Sequence, residues 1–217
     1  MLGSTETVTR MTLVAEADQR RIADAITEAE RTTSGEIVAM ITPESASYLH
    51  GPFLWAALVA LAVPWPFVFW TWWPIQHIYV LQLAVFAGLV VVLMPRPVRL
   101  ALMPRSVKHA RAHRRAVEQF LAQNLHTAVG HTGVLIFVSV AERFAEILAD
   151  AAIHEKVPEG AWQGIVADLT EHIGKGQAGD GFVRAIAAVG EHLARHFPPD
   201  AQRPHALGNH LIVLPPA

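Results

Sequence analysis

The chain has 217 residues, 52% hydrophobic and 17% charged, with a formal net charge of −2. That balance gives no global basic field of the kind that attracts nucleic acid. There is no cysteine, which excludes disulfides, thiolate metal sites and a cysteine nucleophile.

Residues 1–14 read as a polar, mobile N-terminus, without the apolar segment of a cleavable signal peptide. From Ala15 to Thr33 the pattern is helical, with Ile22, Ala25, Ile26 and Ala29 on one face. Ser34-Gly35 is expected to end this helix, Gly35 serving as a left-handed cap. Glu36–Thr42 then reads as a strand stopped by Pro43.

From Ser45 to Pro95 there is no Asp, Glu, Lys or Arg. Within a hairpin over 52–95, the segments 53–72 and 75–94 each reach the roughly 20 apolar residues that span a bilayer. Pro64 and Pro66 are expected to kink the first. Trp65, Trp70, Trp72 and Trp73 crowd towards the turn, as indoles do at a headgroup boundary. Arg96, Arg99, Arg105, Lys108, Arg111, Arg114 and Arg115 follow, with no acid before Glu118. This run is expected to orient the hairpin, keep both flanks cytoplasmic and contact anionic membrane lipid. Nucleic acid is the costlier account of the same charges. The alternative for the whole stretch is a core hairpin in a soluble protein.

Pro97–His126 reads as a helix broken near Pro104, with Val117, Phe120, Leu121 and Leu125 on its apolar face. Gly130–Gly133 is a turn. Val134–Val138 is a strand buried on both faces, Ala141-Glu142-Arg143 a turn, and Phe144–Ala149 an antiparallel strand. Asp150–Lys156 is a loop or short helix. Two helices follow, with the stripe Trp162, Ile165, Val166, Leu169 and Ile173, then Phe182, Ile186, Val189 and Leu193. Asp180 is expected to cap the second. Leu211–Leu214 reads as a last short strand. One helix and one strand cannot bury a core alone. Residues 15–44 are therefore expected to join 96–217 in one soluble domain, interrupted by the transmembrane hairpin. The fold class is α/β, an α+β sandwich of a small mixed sheet flanked by helices.

The run Thr33-Ser34-Gly35-Glu36-Ile37-Val38 follows an amphipathic helix. Gly133–Val138, Glu142-Arg143, a second strand and a helix pair come later in the chain. Together these resemble the TPM domain over about Ala15 to Leu214. Lys156-Val157-Pro158 and Asn209-His210-Leu211-Ile212 are similar to short bacterial membrane forms of that family. The resemblance implies a mixed sheet between helices. It also implies phosphatase activity in some plastid members, accessory or repair roles at membrane complexes in others, and divalent cation binding through acidic loop residues. The family's Asp-Arg turn is here Glu142-Arg143, and its later Gly-x-Gly is here Asp150 and Ala152.

Glu142 and Asp150 lie at opposite ends of one strand, about 20 Å apart at the usual rise, so they do not form one site. Glu142 and Arg143 instead share a sheet edge with Thr42 and Glu44. Glu142, Glu44 and Thr42 are the candidate oxygen ligands for Ca²⁺ or Mg²⁺, and Arg143 the candidate anion-binding residue. Solvated turn charges account for the same residues. His109/His113 and His192/His196 each share a helix face, but zinc needs more ligands than a pair. The first pair is expected to add charge towards headgroups, the second to favour a helix terminus. Gly174–Gly181 follows a helix rather than a strand, so it reads as a linker, not a phosphate cradle. There is no Gly-x-Ser-x-Gly motif.

These readings favour a cytoplasm-facing accessory protein of the bacterial inner membrane that acts by contact with other membrane proteins. No catalytic residue is assigned, and no cofactor is expected on this reading. The alternative is a phosphatase-like enzyme dependent on Ca²⁺ or Mg²⁺.

Overall fold

The computed structural model describes residues 13–70, 72–125, 132–158, 160–199 and 208–216. The expected N-terminal tail up to residue 12, the end of the Pro97–His126 helix and the Gly130-His131 part of the turn lie outside them. The chain divides into two compact units, one drawn from residues 1–46 and 109–217, the other from 47–108.

In the first unit, the apolar runs become strands β1 (Glu36–Thr42) and β2 (Gly133–Ser139), buried at every position. They pair in parallel, Ile37 with Val134 through Thr42 with Ser139. Strand β3 (Phe144–Ala149) returns antiparallel to β2. Strand β4 (Leu211–Val213) adds to β1 in parallel, giving one four-stranded mixed sheet of order β3-β2-β1-β4. Side chains alternate across the strands. Ile37, Ala39, Ile41, Val134, Ile136 and Val138 therefore enter one core. Val38, Met40, Leu135 and Phe137 enter another on the opposite face.

The helices of this unit that face the first core are α1 (Glu16–Glu30), α8 (Gly160–Gly174) and α9 (Ala178–His196). Ile22, Ile26, Leu169, Phe182, Ile186, Val189 and Leu193 are fully buried there. The other face is covered by α6 (Arg105–Ala122) from His109 onwards, through Ala116 and Phe120. Its apolar face runs Ala112, Ala116 and Phe120 rather than through Leu121, which is 51% exposed. A short α7 (Ala151–Lys156) follows β3, and the Asp150 carboxylate accepts from the Ala151 N–H at its start.

Three local expectations are corrected. Leu13 and Val14 pack on the core rather than belonging to a loose tail. Helix α1 ends at Glu30, and Gly35 does not take a left-handed conformation. Gly35 instead leads into β1, where a Cβ would stand 2.9 Å from Leu193 Cδ1. Gln177, not Asp180, precedes α9. Asp180 lies in the first turn and accepts from Arg21 Nη2 at 2.7 Å. Asp180 and then Asp18 hold the Arg21 guanidinium above its ordinary pKa.

The second unit contains α2 (His50–Ala62), α3 (Pro64–Trp70), α4 (Ile75–Leu93) and α5 (Arg96–Leu102). The break between α2 and α3 falls at the residue before Pro64, as the ring's clash with the preceding turn requires. Two helical stretches, His50–Trp70 and Ile75–Leu93, are long and apolar enough to cross a membrane. Only 11% and 6% of their apolar windows are buried within the protein. Phe67 stacks on Trp73, with centroids 5.6 Å apart, beside the turn.

Close approach of α1 and α9 rests on Gly190, where a Cβ would come within 2.8 Å of Ala29 Cβ. Gly190→Val is expected to cost about 1–3 kcal/mol by overpacking. Gly164 sits inside α8 with open space around it. Gly164→Ala is expected to gain about 0.5–1 kcal/mol from helix propensity. Thermal unfolding of the full chain in one detergent, followed by circular dichroism, checks both signs.

Candidate functional site

Strands β4, β1 and β2 are parallel, so their C-terminal ends form one sheet edge. Ligands in open α/β sheets gather at such an edge. Thr42 and Ser139 end β1 and β2 in register. The chain beyond β1 keeps following β2: Val140 N–H donates to Thr42 O and Ala141 N–H to Pro43 O, both at 3.1 Å. The turn closes when Arg143 N–H donates to Val140 O at 3.1 Å.

Glu142 folds back under this turn and is 4% exposed. Its Oε1 accepts from the Ser45 N–H at 3.0 Å, and its Oε2 from the Ser139 hydroxyl. Ser45 Oγ donates to Ser139 Oγ at 2.7 Å, closing a buried three-residue network. Thr42 Oγ1 donates to Glu44 O at 3.0 Å and lies 3.5 Å from Pro215 O. Thr42, Glu44 and Glu142 thus lie at one sheet edge, all buried. Ser45 and Ser139 complete the arrangement and were not anticipated. The available signal was a polar residue ending an apolar strand in register with Thr42.

Arg143 is exposed and has a φ of 49°, a left-handed conformation that disfavours any residue with a Cβ. With Ser139, Thr170 and Gly174 it lines a cavity of about 510 Å³. An arginine at the mouth of such a space can offer charge-assisted hydrogen bonds to an anion. Hydroxyl and carboxylate oxygens of this kind are ligands for hard cations. Among the described residues, no group of three or more His, Asp or Glu side chains stands ready to hold a metal.

The first histidine pair meets β3, and in the second His196 lies in the last turn of α9, as expected. His113 Nδ1 lies 2.9 Å from both oxygens of Glu146 on β3, and the His109 ring meets Phe144 at 5.3 Å. These imidazoles link α6 to β3. The His192 ring meets the edge of Trp162 at 5.7 Å. Of the basic run, Arg96, Arg105 and Arg114 are exposed, Lys108, Arg111 and Arg115 half-buried and Arg99 buried.

Ser139→Ala leaves a buried carboxylate oxygen without that donor and should cost about 1–3 kcal/mol. Arg143→Gly relieves the left-handed strain and should raise stability by about 1 kcal/mol. Chemical denaturation of the two variants beside the parent measures both, and a loss on Arg143→Gly would show that the side chain makes compensating contacts.

Residues 97–192 match the family model described as the TPM domain. No curated protein matches the chain. Among solved structures it is similar to the NMR structure of the BA42 protein from the psychrophilic bacterium Bizionia argentinensis. The identity is 18%, the TM-score 0.58, and the match covers 93% of this chain and 95% of that one. At that identity the likeness is one of fold. The family match lies on the helix–strand–turn–strand–helix-pair region that carries β2, Glu142, Arg143 and β3, so this part of the chain is similar to the TPM domain.

Proposed function

We propose that this is a TPM-domain protein anchored in the bacterial inner membrane by a two-helix hairpin. Its soluble domain faces the cytoplasm and acts by contact with other membrane proteins. The observation that carries the anchor is the outer surface of His50–Trp70 and Ile75–Leu93, which is apolar and scarcely buried within the protein. Water would leave that surface unfavourable at about 25 cal/mol per Å², and hydrocarbon would not. The basic residues from Arg96 to Arg115 support the orientation, because positive charge accumulates on the cytoplasmic side. The contact role is supported by Glu142, whose two oxygens already serve Ser45 and Ser139.

A second reading has one observation in its favour. Thr42, Glu44, Glu142 and Arg143 do share a sheet edge, with a cavity beside Arg143. On that reading Glu142, Glu44 and Thr42 hold Ca²⁺ or Mg²⁺, Arg143 holds a phosphate oxygen, and the protein releases phosphate.

The chain has no cysteine, so single introduced thiols report topology directly. With an impermeant maleimide, Trp73→Cys should label on intact cells once the outer membrane is permeabilised. Arg20→Cys should label only after the inner membrane is broken. The reverse pattern, or labelling of both without breakage, would remove the anchor as described. For the role, the purified full chain is expected to release no phosphate from p-nitrophenyl phosphate as Ca²⁺ or Mg²⁺ is titrated. A cation-dependent rate that disappears in Glu142→Gln would transfer the assignment to the second reading.

A further inference from the structure

The two edges of the sheet are built differently. β4 has three residues and is followed by Pro215 and Pro216, devices that blunt a strand edge. β3 has six residues, Phe-Ala-Glu-Ile-Leu-Ala, with no lysine and no proline. Asp150 N–H donates to Gly133 O at 3.0 Å, and the register pairs Leu148 with Leu135, Glu146 with Phe137 and Phe144 with Ser139. Bonded residues alternate in an antiparallel ladder. Phe144, Glu146 and Leu148 therefore direct their backbone groups to β2, while Ala145, Ile147 and Ala149 present theirs on the open side.

Beside that open side runs a groove of about 400 Å³, walled by His154, Trp162, Gln163 and Val166. Trp162 is only 7% exposed, and among the described residues its buried Nε1–H has no hydrogen-bond partner. A buried indole N–H usually has an acceptor, because leaving it unpaired costs about 1–3 kcal/mol. The groove thus combines a row of backbone donors and acceptors with an apolar wall, and one residue of that wall, Trp162, carries a buried donor lacking an acceptor among the described residues.

We propose that this groove takes an extended peptide segment of a partner protein as a fifth strand of the sheet. The peptide pairs with Ala145, Ile147 and Ala149, and the Trp162 Nε1–H donates to one of its oxygens. Only an extended backbone matches alternating N–H and C=O groups along a strand. Its apolar residues lie on the Trp162 and Val166 side. On the other side a lysine or arginine stands across from Glu146, the only charge on β3, and joins His113 of α6 in meeting its carboxylate.

That charge also separates the partner peptide from a second copy of this chain. In any two-fold antiparallel pairing of β3 with itself, outward residues face outward residues. Glu146 then faces Phe144, Glu146, Leu148 or Asp150 of the other copy, never a cation. The proposal deepens the contact role given above and names the class of partner. It does not depend on the bilayer anchor, so topology labelling and peptide binding fail separately.

The test uses the full chain in a mild non-ionic detergent and a fluorescent peptide alternating valine with lysine. Binding is read by anisotropy and by hydrogen exchange. The peptide should slow exchange at Ala145, Ile147 and Ala149, and replacing its lysines by glutamates should weaken it by about tenfold or more. Ala145→Pro removes an outward N–H while keeping the ladder to β2, and should weaken binding by about tenfold. Trp162→Phe keeps a ring of similar shape without the N–H, and should weaken binding several-fold. Circular dichroism confirms that both variants are folded. The proposal is overturned by no binding, by equal affinity for the lysine and glutamate peptides, or by affinity unchanged in both variants. It is equally overturned by self-association of the chain that Ala145→Pro abolishes.

Discussion

The parallel ladder between β1 and β2 is the constraint on which the rest depends. Its two strands come from either side of residues 43–132, yet they pair residue for residue from Glu36 with Gly133 to Thr42 with Ser139. A parallel pair cannot be closed by a tight turn and needs a crossover. Here the crossover contains the two apolar helices. Whatever the hairpin enters, both of its flanks must return to the same side, or β1 and β2 could not meet. The entropic cost of so long a connection is modest, because it grows only with the logarithm of length. Its kinetic cost is larger. β1 has no partner until β2 is made, so the first apolar strand must wait through the synthesis of everything between.

The second consequence is local. Chain leaving β1 passes over the end of β2 before it departs, and Glu142 ties that exit to the β2–β3 turn through Ser45 and Ser139. A buried carboxylate is tolerable only when its oxygens are satisfied, and here one amide and one hydroxyl do that. The turn also holds Arg143 in a left-handed conformation where glycine would be easier. Local rules broken at a sheet edge mark places where something beyond stability is at work. Arg143 is therefore the residue of this edge whose identity the fold alone does not explain.

Much of the fold was legible because its signals are periodic. Ile37–Ile41 and Val134–Val138 are continuous apolar runs, and only a strand covered on both faces buries every one of those residues. The stripe Phe182, Ile186, Val189 and Leu193 could face only a core. What was missed depends on contacts between segments far apart in sequence. Gly35 resembled a helix cap, but its small size answers to Leu193. Asp180 resembled a cap as well, but it serves Arg21 on another helix. At the candidate edge, Thr42, Glu44, Glu142 and Arg143 could be placed from strand ends alone. Ser45 and Ser139 could not, because hydrogen-bond partners of a buried carboxylate follow from side-chain direction, which spacing does not encode.

Polar groups are satisfied differently at two places on the sheet. Buried donors and acceptors are nearly always paired, so the unpaired ones locate missing partners. At the C-terminal strand edge the Glu142 carboxylate accepts from the Ser45 N–H and the Ser139 hydroxyl. Along β3 the situation is reversed. Backbone groups of Ala145, Ile147 and Ala149 point away from β2, and among the described residues the Trp162 Nε1–H has no acceptor. Among the described residues the same sheet therefore has one edge closed by a three-residue strand and prolines, and another left unpaired beside a groove. A soluble protein with an open edge of this kind would risk uncontrolled edge-to-edge pairing. An edge of this kind is held in check only where another segment covers it or where its surroundings restrict how it meets other chains.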